Sequence, residues 1–319
     1  MMSKLIKNIK VMPYNPEWPQ QFEEEACLIK EALGDNCLAI HHVGSTSVPG
    51  LAAKPKIDII AIIQDPDKTI EFLEQAGFAY KGEWNIPFKY GFTKRGEVFI
   101  NLHVYEKDHP EIELNLLFRD YLRTHPSARD EYAELKFTLL KDQASFKKKD
   151  SLFSGYNLGK NEFIRKTLNQ AGFNRLRFMK CTHYAEWDAA KQFRQYYFFD
   201  KVPVADPYTW TFNHPDHAHF VLYHGIEIIG YAHLQLWPER RSALRIIVID
   251  EEKRHQGYGS QFLMMIEKWL KAQGYQRLHA ESSPAAYAFY QKYSYSEMSF
   301  DDPDNHPSYP QDIPMGKIL

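Results

Sequence analysis

The stretch LRIIVIDEEKRHQGYGSQFLMMIEKWLKAQG, residues 244–274, decides the fold of the C-terminal half of the chain. Leu244–Ile249 is an apolar run of strand type, and Asp250–Ser260 is a charged loop. The remainder is helical, with Phe262, Leu263, Ile266, Trp269 and Leu270 on one face at helical spacing. Gly274 is a natural stop for that helix. Gly257 and Gly259 flank Tyr258 where the loop becomes the helix. Glycines two apart let the backbone come close to a ligand and turn successive N–H groups outward. Those amides and the positive end of the helix dipole suit a pyrophosphate. The dipole contributes only about 0.3–1 kcal/mol, so hydrogen bonds must supply most of the grip. A Gly-x-Gly pair alone also fits an ordinary tight turn; strand, basic residue, spaced glycines and amphipathic helix in this order favour the ligand loop.

Outward from this loop, strands are expected at Leu176–Cys181, Ala218–Tyr223, Glu227–Leu236, Ala243–Ile249 and Arg277–Ser282, with two more at the C-terminus. Helices are expected at Glu186–Phe199, Ser260–Gln273 and Ala285–Tyr293, and His224-Gly225 stands where a hairpin should turn. Arg254, Gly257 and Gly259 fit the Arg/Gln-x-x-Gly-x-Gly/Ala pattern position for position. After the next strand, Ser283-Pro-Ala-Ala286-Tyr-Ala-Phe289-Tyr290 follows an Asn-x-x-Ala-x-x-Phe-Tyr pattern with Ser283 in place of Asn. Ser294-Tyr295 stands where a Gly-Phe pair is usual. On these residues the half from about residue 174 resembles the GCN5-related N-acetyltransferase (GNAT) family.

The resemblance implies transfer of an acetyl group from acetyl-CoA to a small-molecule or peptide amine. It places Ile249, Arg254, Gly257, Tyr258, Gly259, Ser260 and Ser283 against the cofactor. It also makes Tyr290 the catalytic acid that returns a proton to the departing thiolate, a task suited to a phenol that stays protonated at neutral pH. The base is open between His233, Glu239 and a water chain, because Arg245 stands on the strand where relatives often carry a Glu. The acidic segment Asp301–His306 reads either as the acceptor entrance or as a solvated loop.

The second distinctive block is HHVGSTSVPGLAAKPKIDI, residues 41–59. A Gly-Ser pair at a helix start followed by an Asp in an apolar strand is how nucleotidyltransferase folds set a triphosphate beside a metal. With LLFRDYLRTHP (116–126) and GYNLGKNEFI (155–164), the block resembles the GrpB (UPF0157) family, assigned to the nucleotidyltransferase superfamily without a settled activity. The resemblance implies an N-terminal ligand site of Gly44, Ser45, Asp58 and His103, with Asp58 as a ligand for Mg²⁺ and a nucleotide as partner. Ile60 stands where a second carboxylate is needed for metal-assisted phosphoryl transfer, which favours binding of a nucleotide or phosphate ligand over turnover. A buried Asp58 capping the Gly-Ser helix is the competing reading. Mg²⁺-dependent nucleotidyl transfer, with the C-terminal half as a binding module, is the alternative function.

Other expected elements of this half are helices at Pro16–Ala32 (capped at Asn15 or Pro16), Lys68–Gly77, Ser127–Leu140 and Lys160–Gln170. Strands are expected at Lys56–Ile63, Val98–Tyr105 and Glu113–Phe118. On the Val98–Tyr105 strand, Asn101 and His103 fall on one face. The chain is thus expected to be α/β (α+β): a nucleotidyltransferase-like mixed-sheet domain over 1–172, then a GNAT domain with a mixed, mostly antiparallel sheet over 173–319.

Composition bounds the rest. The 319 residues carry 39 Lys+Arg against 41 Asp+Glu, a net charge of -2, which gives no electrostatic reason to expect nucleic acid or an anionic membrane as partner. Three scattered cysteines suit neither a disulfide framework nor a zinc site. The N-terminus has no signal-type apolar core, so a reducing, cytoplasmic setting is the expectation.

Overall fold

The computed structural model describes residues 9–147, 153–200, 205–305 and 310–319. The chain divides into two compact units, Met1–Arg177 with His224–Ile226, and Phe178–Tyr223 with Glu227–Leu319. Both are α/β units built on mixed sheets.

The first unit runs α1 (Trp18–Leu33), β1 (Cys37–Val43), β2 (Lys56–Ile63), α2 (Thr69–Gln75), β3 (Ala79–Gly82), β4 (Lys89–Arg95) and β5 (Phe99–Glu106). It continues through α3 (Pro110–Thr124), α4 (Pro126–Lys141), α5 (Gly155–Leu158) and α6 (Asn161–Gln170). The five-stranded sheet has the order β1-β2-β5-β4-β3, with β2 parallel to β5 and the β1–β2 and β4–β5 pairs antiparallel. β2 is an interior strand, paired on both sides by β1 and β5, which is why Lys56–Ile63 reads as an almost unbroken apolar run. Its Ile57, Ile59, Ala61 and Ile63 pack with Trp18, Phe22, Ile29 and Leu33 of α1. Its opposite face carries Asp58 and Ile60, and Ile60 packs with Val43, Tyr105 and Ile112. Every second residue of β2 therefore faces away from the α1 layer, and Asp58 is among them.

The segment Glu113–Phe118 is helical, not a strand. Leu114, Leu116 and Phe118 alternate, but the caps overrule the alternation: Pro110 enters the first turn, and His109 Nδ1 accepts from the Glu111 amide (3.2 Å). Ile112 and Leu116, four apart, then pack on the β2–β5 face at helical spacing. α1 starts slightly later than expected, with Glu17 as its N-cap and Asn15 Oδ1 accepting from the Glu17 amide (3.0 Å).

The second unit comprises β6 (Leu176–Lys180), α7 (Tyr184–Arg194), β7 (His217–His224), β8 (Glu227–Trp237), β9 (Arg241–Ile249), α8 (Tyr258–Ala272), β10 (Arg277–Ser282), α9 (Tyr287–Lys292), β11 (Ser296–Glu297) and β12 (Ile313–Ile318). The seven strands lie in the order β11-β12-β10-β9-β8-β7-β6. β9 and β10 run parallel, while β8–β9 and β10–β12 are antiparallel. α8 buries the face read from its sequence: Phe262, Leu263, Ile266, Trp269 and Leu270. Trp269 meets Phe220 of β7 edge-on at 4.8 Å between ring centres, and Phe262 meets Phe178 of β6 at 6.0 Å. The helix expected over Glu186–Phe199 is α-helical only to Arg194; Gln195–Phe199 widens into a π-helical turn, a feature common near functional sites.

Phe262 has no exposed surface. Phe262→Ala is expected to cost about 3–5 kcal/mol, read as a lower midpoint in urea unfolding of the full chain.

Candidate functional sites

The C-terminal site is organised by a parting of strands. β9 and β10 pair only from Arg241–Leu244 to Arg277–Ala280, although β9 continues to Ile249 and β10 to Ser282. At the same point β9 bulges: His233 pairs with Ile246 and Leu234 with Leu244, leaving Arg245 as the extra residue. The Arg245 side chain turns to Gln235 Oε1 (2.6 Å), with Asp302 and Glu281 beside it. It occupies the strand position where a glutamate base was sought.

Beyond Ile249 the chain makes one 3₁₀ turn, Glu251–Lys253, and enters α8 through Gly257, whose φ of +82° is left-handed. A Cβ at Gly257 would meet nothing within 4 Å, so backbone angle and not crowding requires the glycine there. Gly259 lies within the first helical turn, where a Cβ would sit 3.7 Å from Ile249 Cγ1, an ordinary contact. The first amide to close a turn is that of Gln261, to Gly257 O (3.1 Å). The amides of Tyr258, Gly259 and Ser260 thus precede the intrahelical ladder at the positive end of a 15-residue helix.

Arg254 is anchored through Nε to Ile249 O (3.0 Å) and lies over the Tyr197 ring (5.0 Å). Tyr197 also accepts from the Glu251 amide (2.9 Å), and Tyr196 donates to the Glu251 carboxylate (3.0 Å). The π-helical turn therefore braces the loop, which no local pattern in the sequence announced. Ser283 is exposed just past β10, and its carbonyl accepts from the Ala286 amide (2.9 Å). Tyr290 is buried on α9, edge-on to Tyr295 at 5.2 Å, and burial raises its phenol above the ordinary value.

Neither expected base is placed for the work. Glu239 sits in the β8–β9 turn, with its side chain 82% exposed and its nearest basic partner Arg241 at 3.8 Å. His233 is buried with both ring nitrogens engaged, Nδ1 with Arg194 (3.3 Å) and Nε2 with His217 Nδ1 (2.8 Å). Arg194 is itself clamped by Asp206 (2.5 and 2.9 Å). A guanidinium only donates, so His233 Nδ1 accepts, its Nε2–H donates to His217, and the His217 proton lies on Nε2. Burial, then His214 and Arg245, lower His217 to about 4; burial lowers His219 to about 3 and, with His219 and Arg194 next, holds His233 well below the usual range. His233 and His217, neutral and with fixed tautomers, make a rigid donor relay from Arg194 instead of a proton acceptor, and neutral His219 stacks on His233 (4.3 Å between ring centres).

His217 opens onto a cavity of about 410 Å³ lined also by Trp210, Asp216, Gln235, Trp237 and Asp304. Asp304 accepts from Gln235 Nε2 (2.5 Å), so part of the acidic segment does border a cavity; His306 lies outside the described residues. Alternate histidines at 217 and 219 with a third at 233 on the next strand were the available sequence signal.

In the first unit, Gly44 (φ +70°) leads into a single 3₁₀ turn, Ser45–Ser47, and not into a helix. Pro49 forces Val48 to be extended and stops it. Gly44 lies against Asp58: a Cβ there would stand 2.7 Å from Asp58 Oδ2. Asp58 Oδ1 accepts from Asn101 Nδ2 (2.7 Å) and Lys56 Nζ (2.8 Å), with His103 Nε2 at 3.8 Å. The expected residues Gly44, Asp58 and His103 therefore do meet. Burial raises the Asp58 carboxyl, but Lys56 and His103 outweigh it and hold the group well below its usual range. Burial, then Lys89, lowers His103 to about 4.

The donor set does not fit Mg²⁺. Ile60 is fully buried, Asn101 turns its NH₂ toward Asp58, and Lys56 occupies one carboxylate oxygen. Among the described residues no group of three or more His, Cys, Asp or Glu is arranged to hold a metal. Nor does Asp58 cap the turn at Ser45, which has no side-chain cap. Ser45 Oγ instead accepts from Lys136 Nζ (2.9 Å), which also bonds Ala52 O (2.6 Å).

Residues 8–170, half of the chain, match the family model for the GrpB protein. The chain belongs to the GrpB family. Residues 182–295 match the model of the acetyltransferase (GNAT) family, so a GNAT acetyltransferase domain follows the GrpB domain. UPF0157 protein YqkA of Bacillus subtilis is 39% identical over 163 residues, 50% of this chain and 46% of that protein; the chain thus spans less than half of that relative. UPF0157 protein BH1888 of Halalkalibacterium halodurans is 42% identical over 132 residues, 40% of this chain and 68% of that protein. The crystal structure of GrpB from Enterococcus faecalis is 35% identical, covers 51% of this chain and 96% of its own, and superposes with a TM-score of 0.45. No helix among the described residues is long and apolar enough to cross a membrane.

Gly44→Ala is expected to destabilise the GrpB domain by about 1–3 kcal/mol, because a left-handed φ and a clash with Asp58 combine. Differential scanning calorimetry of the full chain checks this. The depressed histidines give a second expectation. Below about pH 6.5 the unfolded chain takes up protons that folded His217, His219 and His233 refuse, so stability falls as pH drops from about 6.5 toward 4. A urea midpoint that stays flat over that window contradicts the neutral relay.

Proposed function

We propose that the GNAT domain is an acetyl-CoA-dependent N-acetyltransferase. The observation that carries this reading is the gap between β9 and β10, which ends beside the first-turn amides of α8. A pantetheine arm needs an extended slot between strands, and the diphosphate behind it needs a cluster of N–H donors. Ile249 at the slot edge, Arg254, Gly257, Tyr258, Gly259 and Ser260 at the helix start, and Ser283 past β10 are the proposed contacts. Acetyl-CoA supplies an activated thioester carbonyl when bound; the protein's work is positioning and proton handling.

The Arg245 bulge supports carbonyl recognition, since an unpaired strand backbone presents N–H donors into the gap. Tyr290 is the proposed acid, kept protonated by burial and so able to donate to a departing thiolate. The acceptor is a small amine with a second cationic centre. Trp210 and Trp237 give the cavity aromatic lining, Asp216 and Asp304 add carboxylates to it, and the His217 Nε2–H is the proposed donor toward it. A water takes the amine proton in this reading, because the histidine relay donates.

Acetyl-CoA with a panel of amines, followed by thiol release, tests the activity. Diamines are expected to exceed monoamines of equal length, and Asp304→Asn to remove that preference. Tyr290→Phe is expected to lower kcat about 100-fold, with little change in KM for acetyl-CoA. An unchanged kcat removes the acid role; absence of thiol release with every amine removes the activity.

A further inference from the structure

The Asp58 site carries far more positive charge than that carboxylate can balance. Lys54 and Lys160 place their ammonium groups on the same Tyr156 ring, at 4.1 and 4.8 Å, and Lys136 lies 4.4 Å from the Tyr132 ring. Lys56 holds Asp58 directly, and Lys89 lies within electrostatic reach of both. These lysines come from separated parts of the chain: the β2 approach, β4, α4 and the residue before α6. Lys136 is only 2% exposed.

Burying cations beside one another is costly unless an anion joins them. The strain shows in the titration of the cluster. Burial and neighbouring lysines lower Lys136 and Lys160 to about 7 and Lys54 to about 8. The two tyrosine rings soften the repulsion through cation–π contact without neutralising it. A divalent cation would add to the excess charge; a compact polyanion would relieve it.

We propose that Lys54, Lys56, Lys136 and Lys160 bind a condensed phosphate, a chain of two or more phosphates, directly and without a metal ion. Ser45 lies beside Lys136 as a further hydroxyl donor. Asp58 then orients Lys56 and limits the net charge of the empty cluster.

The experiment is calorimetric titration of the full chain with sodium tripolyphosphate in EDTA, against sodium orthophosphate and against ATP. With coenzyme A present to fill the loop before α8, tripolyphosphate is expected to bind at least about tenfold more tightly than orthophosphate. ATP binding more tightly than tripolyphosphate assigns the phosphates to a nucleotide; equal binding assigns them to a condensed phosphate alone. Lys160→Met is expected to weaken binding about tenfold, whereas Lys166→Met, an exposed lysine of α6 outside the cluster, leaves it unchanged. Asp58→Asn separates the two chemistries, because removing a negative charge tightens a lysine-held anion and abolishes a metal-held one. Binding that appears only with Mg²⁺, that Asp58→Asn abolishes, that Lys160→Met leaves unchanged, or that fails to distinguish tripolyphosphate from orthophosphate overturns the proposal. None of these outcomes depends on acetyltransferase activity.

Discussion

The parting of β9 from β10 after Leu244 and Ala280 is the constraint on which the C-terminal site rests. Two parallel strands in one sheet would ordinarily stay hydrogen-bonded along their shared length, and leaving that ladder means leaving backbone groups to be satisfied elsewhere. The bulge at Arg245 begins the departure, and the chain then turns through Gly257 so that α8 starts at the mouth of the gap. Slot and amide cluster thus follow from one change in strand pairing, and the tyrosines of the π-helical turn hold the intervening loop in shape.

The two sites solve opposite electrostatic problems. In the GNAT domain, one guanidinium, clamped by Asp206, sets the tautomers of His233 and His217 without adding a mobile proton. In the GrpB domain, lysines from three chain segments surround a single carboxylate, and Lys136 of a fourth lies next to Lys160. Neutral donors suit recognition of a polar but uncharged group; crowded ammonium groups suit a polyanion.

What the sequence made legible was local. Arg254, Gly257 and Gly259 lie within six residues of one another, so the loop that leads into α8 was visible before any folding, as was the buried face of α8. Gly44, Asp58 and His103 were found as a set, and the close approach of Gly44 to Asp58 gives that glycine its reason. The failures were of two kinds. Over Glu113–Phe118 a chance alternation of leucines outweighed Pro110 and the His109 cap. Elsewhere the needed information was spread along the chain. Lys54, Lys136 and Lys160 belong to separate segments, and Arg194, Asp206, His217 and His233 meet only when α7 covers β7 and β8. The magnesium expectation failed because it followed the Gly-Ser-Asp spacing and passed over the lysines between and beyond them.

The most direct test of the central claim is hydrogen–deuterium exchange on the full chain with and without coenzyme A. The account predicts slower exchange at Arg245–Ile249 and at Gly257–Gln261, with the segment from Gly44 to Lys56 unaffected. Slowing confined to the N-terminal unit, or none at the start of α8, would contradict it.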